Sequence, residues 1–375
     1  MTAIYLDYAA TTPVDLRVAN IMQKYLMQDG VFGNAASRHV FGRAAHDAIE
    51  VARSQLAQLI HADPSEIIWT SGATESNNLA IKGGVQLYQR KGKHIITVKT
   101  EHKSVLDPCQ YLEKQGFTAT YLTPDRDGRI DLQQLAAAIR ADTVLISVMH
   151  VNNETGVIQE IAKIAELATK HDILFHVDAA QSAAKIAIDV QTIPIDFMSF
   201  SAHKMYGPKG IGALYLRKKP RRRVEPLLHG GGHEQGMRSG TLPTQQIVGM
   251  GEACRIVSEE REKDDQHIFQ LREQLIQGLK NIANFQLNVD LNYTVPHILS
   301  VRFAGMQADA LLDQLPELAL STASACQGKG TEGSYVLRAM GFDEEVVKSS
   351  IRFSFGKMTT IEEINKVIHY IKNIF

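Results

Sequence analysis

The chain has 375 residues, of which 44% are hydrophobic and 22% charged, and its formal net charge is −1. This composition predicts a folded protein of about two domains and excludes a disordered one. A net charge near zero gives no bulk attraction to nucleic acid or to an anionic membrane, so we expect neither as a partner. With no secretory signal pattern and no apolar run of membrane-spanning length, the sequence predicts a cytoplasmic protein.

Cysteine usage narrows the chemistry further. Cys109, Cys254 and Cys326 are widely spaced and form no CxxC pair. This spacing argues against a disulfide framework and against a zinc site, and we expect no bound metal. Any cysteine with a function should therefore act as a thiol.

In chain order, short β-rich runs alternate with helical stretches, which is typical of an α/β fold with a mostly parallel sheet. Strands are predicted at residues 66–72, 93–100, 143–150, 173–178, 196–202 and 210–217, and helices at 73–92, 131–140 and 161–172. A long charged helix is predicted at 244–285. Beyond it, strands at 285–290, 297–303 and 350–356 and a final helix from 360 predict a smaller α/β unit.

Polar side chains follow most of these strands. Ligand sites in open α/β sheets lie beyond the carboxyl ends of the strands, so residues at those ends are expected to converge. They are Ser71-Gly72-Ala73-Thr74, Thr100-Glu101-His102, Asn152-Asn153-Glu154, Asp178 with Gln181, and Ser201 with His203 and Lys204. Taken singly, Asp178 fits a strand-end cap and His102 a structural histidine. Together they indicate a site.

Lys204 is the most informative member of this set, because a lysine at the end of a buried strand is costly unless it is paired or bonded covalently. Pyridoxal 5′-phosphate (PLP) needs a lysine for its covalent link, a carboxylate for its pyridinium proton and an anion site for its phosphate. Lys204, Asp178 and the helix start at Gly72 to Thr74 provide one of each. His102 could lie flat over the cofactor ring or move protons.

Motifs along the chain support this interpretation: LDYAATTP, TSGATESNNLAIKG, TEHKSVL, MHVNNETG, HVDAAQ, SAHKMYGPKGIGALY, HGGGHEQGMRSGTLP and SACQGKGTEGSYVLRAMG. From residue 4 to beyond residue 355, the sequence resembles the class V, fold-type I PLP enzymes, and most closely the cysteine desulfurases. The resemblance implies a large PLP-binding domain at 14–258. Residues 1–13 and 259–375 would form a small domain that carries the catalytic cysteine.

The resemblance also implies roles for individual residues. Lys204 would hold the cofactor, Asp178 its pyridine nitrogen and Gln181 its phenolic oxygen, with His102 stacked on the ring. Arg352 and Asn153 would clamp the substrate carboxylate, a task suited to the donor geometry of arginine. The phosphate would be held by Ala73, Thr74, Ser201 and His203, with Thr241 reaching it from a neighbouring subunit of a homodimer.

Cys326 lies in a polar, Gly-rich segment, where burial is not expected. By resemblance it is the nucleophile that takes sulfur from L-cysteine as a persulfide and passes it to an acceptor protein. That acceptor would serve iron-sulfur cluster assembly or tRNA thiolation. The residues that follow Cys326, QGKGTEGS, keep the family's usual length but not its usual composition, which leaves the acceptor open.

Two alternatives remain at this point. A selenocysteine lyase or another fold-type I PLP enzyme would share Lys204 and Asp178 without always requiring Cys326. A regulatory or scaffold subunit could keep the fold without turnover, although the intact lysine, aspartate and cysteine argue against it.

Overall fold

The computed structural model describes residues 3–322 and 333–375. Its largest sheet has seven strands in the order β2-β8-β7-β6-β5-β3-β4. All neighbouring pairs in this sheet are parallel except those made by β8, which runs antiparallel to both β2 and β7. The strands are β1 (Ile4–Tyr5), β2 (Ile67–Thr70), β3 (His94–Val98), β4 (Thr118–Leu122), β5 (Thr143–Met149), β6 (Leu174–Asp178), β7 (Phe197–Ser201), β8 (Gly212–Leu216), β9 (Phe285–Leu287), β10 (Ile298–Phe303), β11 (Leu318–Ala319), β12 (Ser321–Thr322) and β13 (Ser350–Ser354).

Helices cover both faces of this sheet. A single π-helical turn, Leu79–Gly83, joins α3 to α4, so that one helical segment runs on from the turn after β2. The α-helices are α1 (Leu16–Gln23), α2 (Val40–Leu59), α3 (Ala73–Asn78), α4 (Gly84–Tyr88), α5 (Lys103–Glu113), α6 (Leu132–Ala138), α7 (Ile161–Lys170), α8 (Thr244–Leu279), α9 (Ala308–Asp313), α10 (Tyr335–Ala339), α11 (Glu344–Ser349) and α12 (Ile361–Lys372).

The central strands are buried on both faces, as expected for a sheet covered by helices on each side. Successive residues of a strand point to opposite faces, so Ile95 and Leu145 pack into one apolar cluster while Ile96 and Ile146 pack into another. This arrangement confirms the predicted α/β fold with a mostly parallel sheet. It also brings the carboxyl ends of β3, β5 and β6 to one edge.

A second, four-stranded sheet has the order β12-β13-β10-β9 and is antiparallel throughout. It packs with the second half of α8 and with α12 around a separate core that includes Leu271, Phe353 and Val367. Helix α8 is continuous from Thr244 to Leu279, so the predicted domain boundary at 258 falls inside a helix.

The N-terminal segment connects the two sheets. Strand β1 pairs in parallel with β11, and the backbone N–H of Ser354 donates to the carbonyl oxygen of Leu6 (2.8 Å). A few residues further on, the N–H of Thr12 donates to the carbonyl oxygen of His203 at the large sheet (2.9 Å). Residues between these contacts are therefore held against the carboxyl edge of the large sheet. Among the helices of the described residues, none is both long and apolar enough to span a membrane.

Candidate active site

A cavity of about 410 Å³ opens at the carboxyl edge of the large sheet. This size lies within the range of small-molecule sites. Nine of the predicted site residues line it: Ala73, Thr74, His102, Asn153, Asp178, Gln181, Ser201, His203 and Lys204. The strand-end argument therefore located the cavity, because parallel strands deliver their terminal side chains to the same edge.

Lys204 follows β7 in a single 3₁₀ turn, Ala202–Lys204. Its Nζ donates to the carbonyl oxygens of Ala9 (2.6 Å) and Ala10 (2.7 Å). Both oxygens come from the N-terminal segment, which thereby supplies two acceptors for the amine. The lysine thus stands at the boundary between the N-terminal segment and the cavity.

Asp178 ends β6, and its buried carboxylate accepts two hydrogen bonds. The backbone N–H of Ala180 donates to Oδ1 (2.9 Å), and Nδ2 of Asn77 donates to Oδ2 (2.7 Å). Two N–H donors stabilise the ionised form of a carboxyl group. Asp178 is therefore prepared to hold a positively charged N–H group of a ligand.

Gln181 has its amide orientation fixed from both sides. Lys185 Nζ donates to Gln181 Oε1 (2.9 Å), and Gln181 Nε2 donates to the carbonyl oxygen of Ala9 (2.8 Å). Lys185 Nζ also donates to the backbone carbonyl oxygen of Gln181 (2.8 Å), so the amide oxygen faces a group that acts as a donor at both contacts. The second N–H of Nε2 remains as the group that Gln181 can offer to a ligand.

The turn after β2 forms a small cradle at the start of the helical segment. Gly72 has φ of +151°, a backbone conformation that favours glycine. A Cβ atom on Gly212 of the neighbouring β8 would lie 2.5 Å from Cα of Gly72 and 2.3 Å from the carbonyl oxygen of Phe200. These two glycines let the backbone approach closely, and Gly72, Ala73 and Thr74 at the start of the helix line the cavity, where helix N–H groups without intrahelical partners suit an anion.

His203 lines the same side of the cavity as this cradle, and its Nδ1 lies 3.1 Å from the hydroxyl of Thr11. Burial lowers the pKa of His203 to about 4, and the neighbouring Lys204 and Lys209 also lower it. The imidazole is therefore neutral near pH 7. It contributes a hydrogen-bonding group to the anion site and adds no charge.

His102 caps α5 through its ring. The backbone N–H of Ser104 donates to His102 Nδ1 (3.1 Å), and the Ser104 hydroxyl lies 2.8 Å from the same nitrogen. Burial lowers the pKa of His102, the charge of Asp178 opposes that effect, and Lys204 adds to it. Nδ2 of Asn77 donates to the Ser104 hydroxyl (2.8 Å), which connects His102 to Asp178 through two polar side chains.

Asn77 and Ser104 were not predicted as site residues. Asn77 lies on the same helical face as the buried residues Ala80, Ile81 and Gly84. The sequence could have indicated a role for Asn77 only through this position, since it is a polar residue on an otherwise apolar face. Ser104 carried only the ordinary signal of a helix start.

Arg352 lies behind Asn153 and is 3% exposed. Its Nη1 donates to the carbonyl oxygen of Asn153 (2.8 Å), and Nη2 pairs with Asp7 Oδ1 (2.6 Å) and reaches the Ser321 hydroxyl (3.0 Å). Within the described part of the chain, Arg352 Nε and Asn153 Oδ1 are buried without a hydrogen-bond partner. Buried polar atoms are rarely left unpaired, so these two atoms are suited to a polar ligand.

Two predicted residues do not line the cavity, and a third lies outside the described residues. Thr241 is exposed, in a loop that the Arg238–Glu75 ion pair (2.8 Å) attaches to the helix start at the cavity. The second predicted residue that does not line the cavity is Arg352. Cys326 lies outside residues 3–322 and 333–375.

Cys109 and Cys254 are both fully buried, and burial raises the pKa of each thiol to about 12, which leaves them protonated near pH 7.

Two buried carboxyl groups lie near the site without an assigned role. Burial raises the pKa of Glu101 well above its ordinary value, and the charge of Asp178 raises it further. Burial raises the pKa of Glu154 to about 7, although the Ser334 hydroxyl that donates to it and the nearby Arg352 both oppose this. Sequence alone could not distinguish Glu101 and Glu154 from ordinary surface glutamates. Their pKa values are raised mainly by burial, which only the folded structure shows.

The lining residues fit the cofactor that the sequence predicts. Asp178 offers a carboxylate that already accepts from two N–H donors, the cradle at Gly72 offers backbone N–H groups and Lys204 offers an amine. Asn153 adds an unpartnered amide oxygen. These are the donor and acceptor types that the pyridine nitrogen, the phosphate and the aldehyde of PLP require.

Glu154 gives a pH-dependent prediction. Its pKa of about 7 in the folded protein exceeds the ordinary value of 4.5. The folded form therefore binds this proton more tightly, and its contribution to stability falls as pH rises from about 4.5 to about 7. We expect Glu154→Gln to raise the free energy of unfolding at pH 8 by about 3 kcal/mol relative to wild type, with the difference shrinking towards zero near pH 4.5.

Denaturant unfolding of both proteins over this pH range measures the effect. Glu160→Gln is the control, because Glu160 is largely exposed and pairs with Lys163 and Arg129, which lower its pKa. The control should lose a little stability at pH 8. A Glu154→Gln protein less stable than wild type at pH 8 would contradict a protonation-coupled cost of burial.

Comparison with known proteins assigns this chain to a family. The family model for class-V aminotransferases matches residues 4–367. Cysteine desulfurase IscS of Vibrio campbellii is 58% identical over 370 residues, which cover 98% of this chain and 92% of that protein. The residues matched by the family model span all those that line the cavity.

Solved structures agree with this placement. A NifS-like protein superimposes with a TM-score of 0.93 at 36% identity, covering 100% of this chain and 99% of the other. SspA in complex with cysteine superimposes with a TM-score of 0.84 at 40% identity, covering 95% of this chain and 100% of the other. The chain therefore belongs to the class-V aminotransferase family and, within it, to the cysteine desulfurases of the IscS and NifS kind.

Proposed function

We propose that this cysteine desulfurase uses PLP to convert L-cysteine to L-alanine and keeps the sulfur as a persulfide on Cys326. The observation that carries the proposal is the convergence of Lys204, Asp178 and His102 on one cavity beside a glycine cradle. Membership of a PLP-dependent family supports the cofactor, and the structural neighbour in complex with cysteine supports the substrate.

The residues proposed to hold the cofactor all line the cavity. Lys204 bonds covalently to it, Asp178 keeps the proton of its ring nitrogen, and Gln181 donates to its phenolic oxygen through the free N–H of Nε2. His102 stacks on the ring. The phosphate is bound at the cradle by Ala73, Thr74, Ser201 and His203. When bound, PLP supplies an electron sink for the bonds of the substrate carbon.

The substrate carboxylate binds between Arg352 and Asn153. Arg352 Nε is a buried donor without a partner in the described residues, and Arg352 already faces one carboxylate, Asp7. Asn153 would donate to the substrate carboxylate through its Nδ2 amide group, because its Oδ1 can only accept. An entering α-carboxylate offers the guanidinium the same kind of acceptor as Asp7 does. Lys204 or His102 moves the α-proton of the substrate.

Sulfur transfer is assigned to the Cys326 thiolate. It attacks the sulfur of L-cysteine, the carbon–sulfur bond breaks as the sulfur–sulfur bond forms, and the substrate leaves as L-alanine. One thiol and one cysteine give one persulfide and one alanine, so no external oxidant is needed. Cys109 and Cys254 are unsuited to this task because they are buried and protonated.

The working unit is a homodimer in which Thr241 reaches the phosphate site of the partner subunit. Thr241 is exposed on its own chain, and the stretch from residue 26 to 41 exposes several large apolar side chains that a second copy could cover: Leu26, Met27, Phe32, Val40 and Phe41. Each subunit is divided into a PLP-binding domain at 14–258 and a small domain formed by 1–13 and 259–375.

The persulfide passes to an acceptor protein that serves iron-sulfur cluster assembly or tRNA thiolation. The names of the IscS relatives favour the first of these. The chemistry of the acceptor is the same in both cases, because a thiolate must attack the outer sulfur of the persulfide. A cytoplasmic location stays a prediction from the sequence.

The cofactor assignment predicts that the purified protein is yellow and that borohydride reduces the C=N bond to Lys204, which bleaches the yellow colour and leaves the cofactor attached to the peptide containing Lys204. A Lys204→Ala protein should bind added PLP without covalent fixation. Peptide mapping by mass spectrometry identifies the modified residue. A colourless protein that takes up no PLP would refute the proposal.

The nucleophile assignment predicts that Cys326→Ser still binds PLP and L-cysteine but releases almost no sulfide and carries no persulfide. A hydroxyl is a far weaker nucleophile than a thiolate, and each tenfold loss of rate corresponds to about 1.4 kcal/mol of barrier. Alanine and sulfide are measured after mixing with L-cysteine. Cys109→Ser is the matched control and should keep turnover. Alanine formation at the wild-type rate by Cys326→Ser would instead favour a lyase such as a selenocysteine lyase.

The dimer assignment predicts rescue between two inactive variants. In a hybrid of Thr241→Ala and Lys204→Ala chains, one of the two sites carries neither lesion, because its lysine and the Thr241 of the partner subunit are both intact. Activity should therefore return to at most half of wild type per hybrid dimer. If mixed dimers form without any recovery of activity, the sites are not shared.

A further inference from the structure

Asn77 and Ser104 connect the two functional side chains that flank the cavity. Asn77 Nδ2 donates one hydrogen to Asp178 Oδ2 (2.7 Å) and the other to Ser104 Oγ (2.8 Å), and Ser104 Oγ lies 2.8 Å from His102 Nδ1. Asn77 is 0% exposed and Ser104 is 8% exposed. The connection is therefore shielded from water, which strengthens each of its hydrogen bonds.

The direction of each bond is determined by its donors. An amide NH₂ group can only donate, so Ser104 Oγ accepts from Asn77 and its own hydrogen is free to point at His102 Nδ1. The backbone N–H of Ser104 donates to the same nitrogen (3.1 Å). Nδ1 thus receives two donors, and a proton on Nδ1 would face both of them. The neutral ring must carry its proton on Nε2.

We propose that Asn77 and Ser104 are positioning residues that fix His102 in the neutral Nε2–H form, so that His102 acts only as a hydrogen-bond donor toward the cavity. A histidine that accepts a proton at Nε2, or releases one from its charged form, needs a proton on Nδ1. The two donors at Nδ1 oppose both states. Transfer of the α-proton then belongs to the amine of Lys204 alone.

Neighbouring charges act on His102 from three elements. Asp178 at the end of β6 and Asp107 on α5 raise the pKa of His102, whereas Lys204 after β7 lowers it, and burial lowers it most. The carboxylate of Asp178 is itself bonded to Asn77 and to the N–H of Ala180. The hydrogen bonds at Nδ1 therefore add to a burial effect that already favours the neutral ring.

The role given to Lys204 in proton transfer rests on the proposed function. The tautomer and the protonation of the His102 ring, however, can be measured without turnover. We suggest NMR of the full chain carrying ¹³C,¹⁵N-labelled histidine rings, with and without PLP and in the absence of cysteine. The signals of His102 are those missing from a His102→Gln protein. Wild type should show the Nε2–H tautomer, with a titration midpoint below that of an ordinary histidine.

Ser104→Ala removes the hydroxyl and should raise the His102 midpoint by about one pH unit, a tenfold change, because one hydrogen bond to the neutral form is lost. Ser104→Thr keeps the hydroxyl and should restore the wild-type midpoint. Asn77→Leu frees the hydroxyl to accept from Nδ1–H and should also raise the midpoint. Asn78→Leu, on the exposed side of the same helix, should not.

The outcomes separate the two proposals. An Nδ1–H tautomer in wild type, or an unchanged or lower midpoint in Ser104→Ala, would overturn the positioning role even if the protein is an active desulfurase. The expected tautomer and shifts in a protein without desulfurase activity would instead overturn the function and leave the positioning role intact. If Asn77→Leu does not fold, the Ser104→Ala and Ser104→Thr pair decides alone.

Discussion

The carbonyl oxygen of Ala9 is the acceptor on which the site depends. It receives Nζ of Lys204 and Nε2 of Gln181, so one backbone group orients both an amine and an amide at the cavity. That oxygen is in place because the N-terminal segment is bound at both ends. Leu6 accepts from Ser354 of the four-stranded sheet, and Thr12 donates to His203 of the large sheet. A segment of a few residues thus couples the packing of two cores to the position of Lys204.

Polar groups inside the site are paired wherever the chain can supply a partner, and the exceptions are informative. Asp178 has two N–H donors and Gln181 has a partner on each side of its amide. In the described residues, Asn153 Oδ1 and Arg352 Nε have none. Leaving a buried donor or acceptor unpaired costs about 1–3 kcal/mol, a cost that a carboxylate ligand and its accompanying water could relieve. The unpaired atoms therefore indicate that the side of the cavity at Asn153 is suited to a polar ligand, with Arg352 packed against that residue.

The sequence predicted the fold and the cavity lining from two kinds of signal. The buried apolar runs located six of the seven strands of the large sheet. Asp178, His102 and Lys204 were identified because they lie at the ends of these runs or just after them. Strand β4, Thr118–Leu122, was missed because it lies at the sheet edge and only one of its residues is buried. Asn77 and Ser104 were missed because their function arises from contact between two helices, α3 and α5. Periodicity within one helix cannot report such a contact. The roles of Thr241 and Cys326 depend on a second subunit and on residues outside those described, and they rest on resemblance.

Burial also disfavours the charged forms of three ionisable side chains at or near the site, His102, His203 and Glu101. Burial lowers the pKa of His203 to about 4 and lowers that of His102, while it raises the pKa of Glu101 well above its ordinary value. The imidazole of His203 is therefore neutral near pH 7, and burial shifts His102 and Glu101 towards their neutral forms. The direction for Glu101 matters most, because an ionised second carboxylate near Asp178 would compete for a positively charged N–H group that binds there. The same low-dielectric surroundings that make an unpaired ion costly thus act against charge on Glu101, whereas Asp178 has two N–H donors and lines the cavity, where it can meet a ligand.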